Sequence, residues 1–282
     1  MNPPRPERAR ASIVLVATTH PFQGPLDALP DYLTDARNLF EIGESARKDL
    51  GTARRAKGNA TGAGSPPVGH KSINRAVVVA AVGALEAFNE DLALTALPLV
   101  SGASTSKPWF EIDGRLGMVQ TPSPWNIAKM HWVFFRYDPR PDWDLLITTA
   151  WSEKGPGTNW RGTTSRYGHQ TATSAEDALN AMVKVRHGFA HQDATNRPPT
   201  IPGVVSLTPT GKLSLQSHHA FNAMSMVAQV AIQTTHGLAG ALPGKPPRLK
   251  WRKAMTAAGF EQLLADTPVA KAIRANWSSS PF

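Results

Sequence analysis

The chain contains no cysteine. That excludes disulfides, thiol nucleophiles and thiolate metal sites, and it fits a reducing, cytoplasmic compartment. No run approaches the roughly 18 apolar residues of a membrane span, so no membrane association is expected. Arg5, Arg8 and Arg10 precede a short apolar stretch, Ile13 to Ala17, which His20 and Pro21 end. A secretory core segment is longer, and residues 1–25 read as a flexible leader. Three phosphate- and acyl-handling signatures are also missing: a Gly-x-Ser-x-Gly elbow, a Walker A loop and a Gly-rich dinucleotide fingerprint. Serine-hydrolase, P-loop and dinucleotide chemistry therefore have no motif to stand on, and no cofactor is expected.

What is present fits a folded domain with a basic end. The 282 residues are 41% hydrophobic and 18% charged, enough for a sizeable core. Twenty-two Gly and 24 Pro point to long loops. The net charge is +9, and residues 241–282 hold seven Lys/Arg against Glu261 and Asp266, or +5 of it. Lys245, Arg248, Lys250, Arg252 and Lys253 crowd around Trp251. Such a segment suits the backbone of a polyanion such as RNA; a solubilising tail would have the same composition.

Periodicity indicates a helical domain over 26–240. Leu29, Leu33, Ala36, Leu39, Phe40 and Gly43 predict a first helix near 30–48. Residues 51–70, rich in Gly, Pro and Ala, read as a flexible loop. Residues 71–97 form the clearest helix, with Ile73, Val77, Ala80, Ala84, Phe88 and Leu92 in one stripe. Val79 and Val82 add apolar surface elsewhere, as expected of a central helix. Glu86 lies on their side, and Gly83 would admit a close neighbour. Residues 101–170 hold six of the eight tryptophans and read as a long irregular insertion. Within it, "SPWNIAKMHWVFF" is a helix with Ser123 at its N-cap and Pro124 at N1. Ser174 and Asp177 have capping-box spacing and open another helix. A β-hairpin is expected around Thr210-Gly211, then a helix near 217–239, then short basic C-terminal helices over 241–282.

The densest chemistry is "RHGFAH", Arg186 to His191. His187 and His191 share a helical face at i, i+4 spacing. A zinc-protease pair would need Glu where Gly188 stands, and a carboxylate ligand would have to come from Glu86 or Glu90. Arg186 beside them would oppose a cation. Phosphodiester cleavage in RNA makes fewer demands, because the 2′-OH is already the nucleophile. Histidine moves protons near neutrality, and the arginine fork matches phosphate oxygens. A solvated histidine and a plain Arg186–Glu86 ion pair would look the same in sequence. Arg186 and His191 also lie roughly 140° apart around a straight helix. Either a bend at Gly188 or a second protomer must bring them to one phosphate.

"RHGFAH" resembles the arginine, four-to-six residues, histidine motif of HEPN domains (higher eukaryotes and prokaryotes nucleotide-binding). His187 takes the position where that motif usually has Asn. "RAVVVAAVGALEAFNEDL" (75–92) is similar to the central helix of the HEPN subgroup found near RNA-ligase and phosphatase genes. "SPWNIAKMHWVFF" sits where that subgroup has its third helix. The resemblance covers about 26–240. It implies an all-α HEPN-type bundle, here with a Trp-rich irregular insertion, a small β-hairpin and a basic C-terminal helical extension. It implies a metal-independent endoribonuclease of toxin or antiviral-defence type, dimerising around the motif so that two copies line one cleft. Arg186 and His191 match the catalytic pair, and Glu86 matches a helix acid that holds the motif. His187 joins the candidates by proximity. Lys245, Arg248, Lys250, Trp251, Arg252 and Lys253 are the candidate RNA contacts. The expected partners are RNA, a second copy of the chain, and an antitoxin or other defence-system protein. The family also has non-catalytic members that bind RNA or a protein partner.

Overall fold

The computed structural model describes residues 19–56, 68–100, 121–152, 161–169, 171–190, 198–207, 213–242 and 249. Among them are six α-helices: α1 (Gln23–Tyr32), α2 (Thr34–Ala56), α3 (Val68–Ala96), α4 (Pro124–Phe135), α5 (Ala175–Ala190) and α6 (Ser217–Ala241). Two small antiparallel strand pairs join them: β1 (Leu145–Ser152) with β2 (Arg161–Tyr167), and β3 (Ser206–Leu207) with β4 (Leu213–Ser214). The domain is mostly helical.

α3 is central, as its apolar pattern predicts. It packs against α1, α2, α5 and α6. Val77, Val78, Ala81, Val82, Leu85, Phe88 and Leu92 are buried along it. α2 comes close to it at Gly43, where a Cβ would stand 3.0 Å from Ile73 Cγ2. Gly83 does not have the expected role, since a Cβ there would meet nothing within 4 Å.

α6 is the second central helix, buried on nearly every side. A helix in that position must satisfy its own polar side chains inside the core. It does so on the free edge of β1. Gln233 accepts from Asp144 N at 2.9 Å and donates to Asp144 O at 2.8 Å. Gln229 does the same with Leu146, at 2.9 and 3.1 Å. Asn222 does so with Thr148, at 3.2 and 2.7 Å. Three side-chain amides thus stand in for a neighbouring strand and close an edge that would otherwise be left unpaired. The four-residue step from Gln229 to Gln233 spans about 6 Å, close to the two-residue step of a strand. Trp143 fixes the approach to β1: it is 1% exposed and its indole N–H donates to Thr234 Oγ1 at 2.9 Å.

Several expectations are corrected. Phe22 and Leu26 are buried and His20 is 5% exposed, so the domain begins before residue 26. The first helical pattern is two helices, broken at Leu33, whose N–H bonds back to Leu29 O. The expected loop over 51–70 is helical at both ends: α2 runs to Ala56 and α3 starts at Val68. The 101–170 segment is not irregular throughout, because β1 and β2 form a hairpin inside it. α4 keeps its predicted start, with Asn126 N donating to Ser123 Oγ at 3.2 Å. The Ser174–Asp177 box is also formed, with bonds of 3.0 Å in both directions. β3 and β4 flank the predicted Thr210-Gly211 turn, which itself lies outside the described residues. So do most of residues 1–25 and nearly all of 241–282, although Leu249 packs half-buried against the core.

Candidate active site

The site lies where the last turns of α5 meet α3 and the start of α4. Arg186 is the twelfth of the 16 residues of α5. Its Nη1 donates to Glu86 Oε2 of α3 at 3.1 Å, across 100 residues of sequence. The pair is largely enclosed, with side chains 19% and 22% exposed. Burial raises the Glu86 carboxyl above its ordinary value, and Arg186 pulls it only part of the way back. Glu90, one turn along α3, is also raised, by burial first and then by the charge of Glu86. The guanidinium fork has five donors, and the bond to Glu86 uses one. Glu86 therefore fixes the direction of Arg186 while leaving donors able to meet an anion.

α5 continues as helix through Gly188 to Ala190. Gly188 does not end it. His187, next to Arg186, has Nε2 2.8 Å from Thr121 Oγ1. Thr121 in turn anchors the entry to α4: its carbonyl accepts from Asn126 Nδ2 at 2.7 Å and from Ser123 N at 2.7 Å. α4 is also tied to α3, where His131 Nε2 lies 3.4 Å from Asn89 Oδ1. Glu86 and Asn89 are thus successive contacts of one α3 stretch, the first to α5 and the second to α4.

The structure brings Glu86, Arg186 and His187 into this region. His191 lies outside the described residues, as do Lys245, Arg248, Lys250, Trp251, Arg252 and Lys253. Among the described residues no three His, Asp or Glu side chains are placed to hold a metal ion. No helix among them is long and apolar enough to cross a membrane. The contribution of Thr121 had no sequence signal: a lone threonine before a helix N-cap gives no hint of a histidine 66 residues later. No known family model matches the chain, and no curated protein or solved structure matches it.

Proposed function

We propose that the protein is a metal-independent endoribonuclease of the HEPN type, acting in toxin or antiviral defence as a homodimer in the cytoplasm. The observation that carries this reading is the Arg186–Glu86 pair. It holds the arginine of "RHGFAH" on the central "LEAF" helix, where the resemblance expects a supporting acid. Arg186 binds the scissile phosphate and stabilises the charge that builds on the phosphorane. His191 takes the proton from the 2′-OH and returns one to the leaving 5′-oxygen. Glu86 positions Arg186, and His187 lines the cleft.

A homodimer is the assembly this reading calls for. Arg186 and His191, five positions apart, would lie roughly 140° apart if helical spacing carried on to position 191. Since α5 runs on through Gly188, the second protomer is the simpler way to bring an arginine and a histidine to one phosphate. Sedimentation at micromolar concentration should show a dimer, and a monomer would count against the cleft. Expression of the protein should arrest growth of the host. His191→Ala and Arg186→Ala should each relieve the arrest at equal protein level. Arrest that persists in both variants would contradict the reading. Well-folded protein that binds RNA but cuts none would instead be a non-catalytic member of the same kind.

A further inference from the structure

α4 presents an unusual outer face. Trp125 is 63% exposed and Trp132 is 54% exposed. Seven residues apart, they stand on one side of the helix, about 10 Å from each other along its axis. Lys129 falls on the same side, within roughly 60° of the tryptophans, and exposed Arg136 caps the end of the helix in the left-handed conformation. The row along the helix reads Trp, Lys, Trp, with Arg136 at its end. Arg140, whose guanidinium is paired with Asp138 and Glu176, has Cζ 5.7 Å from the centre of the Trp125 ring. α4 itself contains no acidic residue. The opposite face is ordinary core: Ile127, Met130, His131 and Phe135 are buried. The exposed indoles are therefore not needed to dock the helix.

Large aromatics left in water cost free energy, so a row of them with interleaved cations calls for an occupant. A surface that met another protein through its apolar part would gain little from a cation at every turn. A nucleic-acid single strand matches both components. Its bases stack on indole faces, and its phosphates are met by the lysine and arginine side chains. A duplex would hide its base faces and could use only the cations. The location fits as well. The row starts four residues after Thr121, whose hydroxyl contacts His187.

We infer that the Trp125–Lys129–Trp132 face of α4, with Arg136 at its end, is a stacking platform that holds single-stranded RNA beside the Arg186 site. This rests on the nuclease reading, since it names where that substrate lies. Direction and sequence preference are left to the cut site, because stacking tolerates any base.

The test uses the full-length protein and a short fluorescein-labelled 2′-O-methyl oligonucleotide, which offers no nucleophile and is not cut. Binding should quench indole emission. Trp125→Ala and Trp132→Ala should each raise Kd by roughly 5- to 100-fold. Phenylalanine at either position should restore most of the affinity. Circular dichroism should show both variants folded, since neither side chain is in the core. Unchanged affinity in both would overturn the platform. So would loss of the dimer in sedimentation with RNA affinity intact, which would make this face a protein interface. Cleavage separates the two ideas. RNA cut by wild type with both Trp variants binding normally defeats the platform alone. Binding through the Trp row with no RNA cut supports the platform and defeats the nuclease reading. No binding of any single strand defeats both.

Discussion

Mild acid should unfold this protein, and the structure supplies the magnitude. Three histidines are sealed in the fold: His131, His218 and His219 are 0%, 7% and 1% exposed. Burial lowers the pKa of His131 from the ordinary 6.5 to about 3 and that of His218 to about 4. It lowers His219 to about 3, with the neighbouring His218 charge adding to the effect. The bonding around His219 agrees with a neutral ring, because its Nδ1 accepts from Gln216 N at 2.8 Å. A group with a lowered folded pKa binds fewer protons in the native state than in the unfolded chain. Its contribution to stability is complete above about 6.5 and is lost as pH falls toward the folded value. Each group costs about 1.4 kcal/mol per pH unit in that window. Three together give a slope of about 4 kcal/mol per unit below pH 6. His20 and His236 are lowered in the same direction by burial and steepen the loss. Glu86 and Glu90, raised by burial, act the other way at the acid end and soften it. Against a typical stability of roughly 5–15 kcal/mol, the fold should fail between about pH 5 and 4. Urea titrations followed by far-UV circular dichroism from pH 7.5 down to 5 would measure the slope. His131→Phe, packed against Phe135 and Tyr137, should reduce it by about a third where the variant folds. Stability that stays flat from pH 7.5 to 5 would refute the reasoning. Because the fold loosens below it, a pH–rate profile reports site histidines only above about pH 6.

Other outcomes follow from single contacts. Gln229→Leu keeps the volume but strips the partners from Leu146 N and O, costing about 1–3 kcal/mol for each orphaned group in urea unfolding. Gly237→Ala would drive a Cβ onto Tyr137 Oη and Asp142, which are themselves bonded at 2.7 Å; a loss of about 1–3 kcal/mol should lower Tm. Glu86→Gln retains an acceptor but removes the charge that orients Arg186, so RNA cleavage should fall by up to about 100-fold with Tm little changed; an unaffected rate would make Glu86 an ordinary rim residue. Deleting 245–282 removes five cations clustered before residue 254 and should weaken RNA binding and flatten its salt slope by up to about 3; unchanged affinity and slope would leave a solubilising tail.

Local chemistry made much of the fold legible. Ser123 with Pro124, and Ser174 with Asp177, announce the starts of α4 and α5 because capping is decided within four residues. The stripe on α3 announces its central place. The β1–β2 hairpin was hidden because its support is not local: the free edge of β1 is closed by Asn222, Gln229 and Gln233, more than 70 residues downstream. In the sequence those amides look like stray polar residues in an apolar helix. "GTARR" reads as a loop by its glycine and its neighbours, yet Ala and Arg are strong helix formers and α2 runs through them. At the site, the Glu86–Arg186 pair was legible as an acid among the apolar residues of the central helix and an arginine in a motif. The Thr121–His187 contact was not, since only packing brings α4 to the end of α5.

Cleavage by the RNA's own 2′-OH is tested directly by one comparison. A single-stranded RNA and its 2′-deoxy analogue are incubated in excess EDTA with wild-type, His191→Ala and Arg186→Ala protein. The RNA should be cut by wild type to a 2′,3′-cyclic phosphate and a free 5′-OH, and the deoxy analogue should stay intact. His191→Ala should slow the cut by roughly 10²–10⁴-fold, and Arg186→Ala by on the order of 10²–10³-fold. Cleavage of the deoxy analogue, or full activity without His191, would contradict the account.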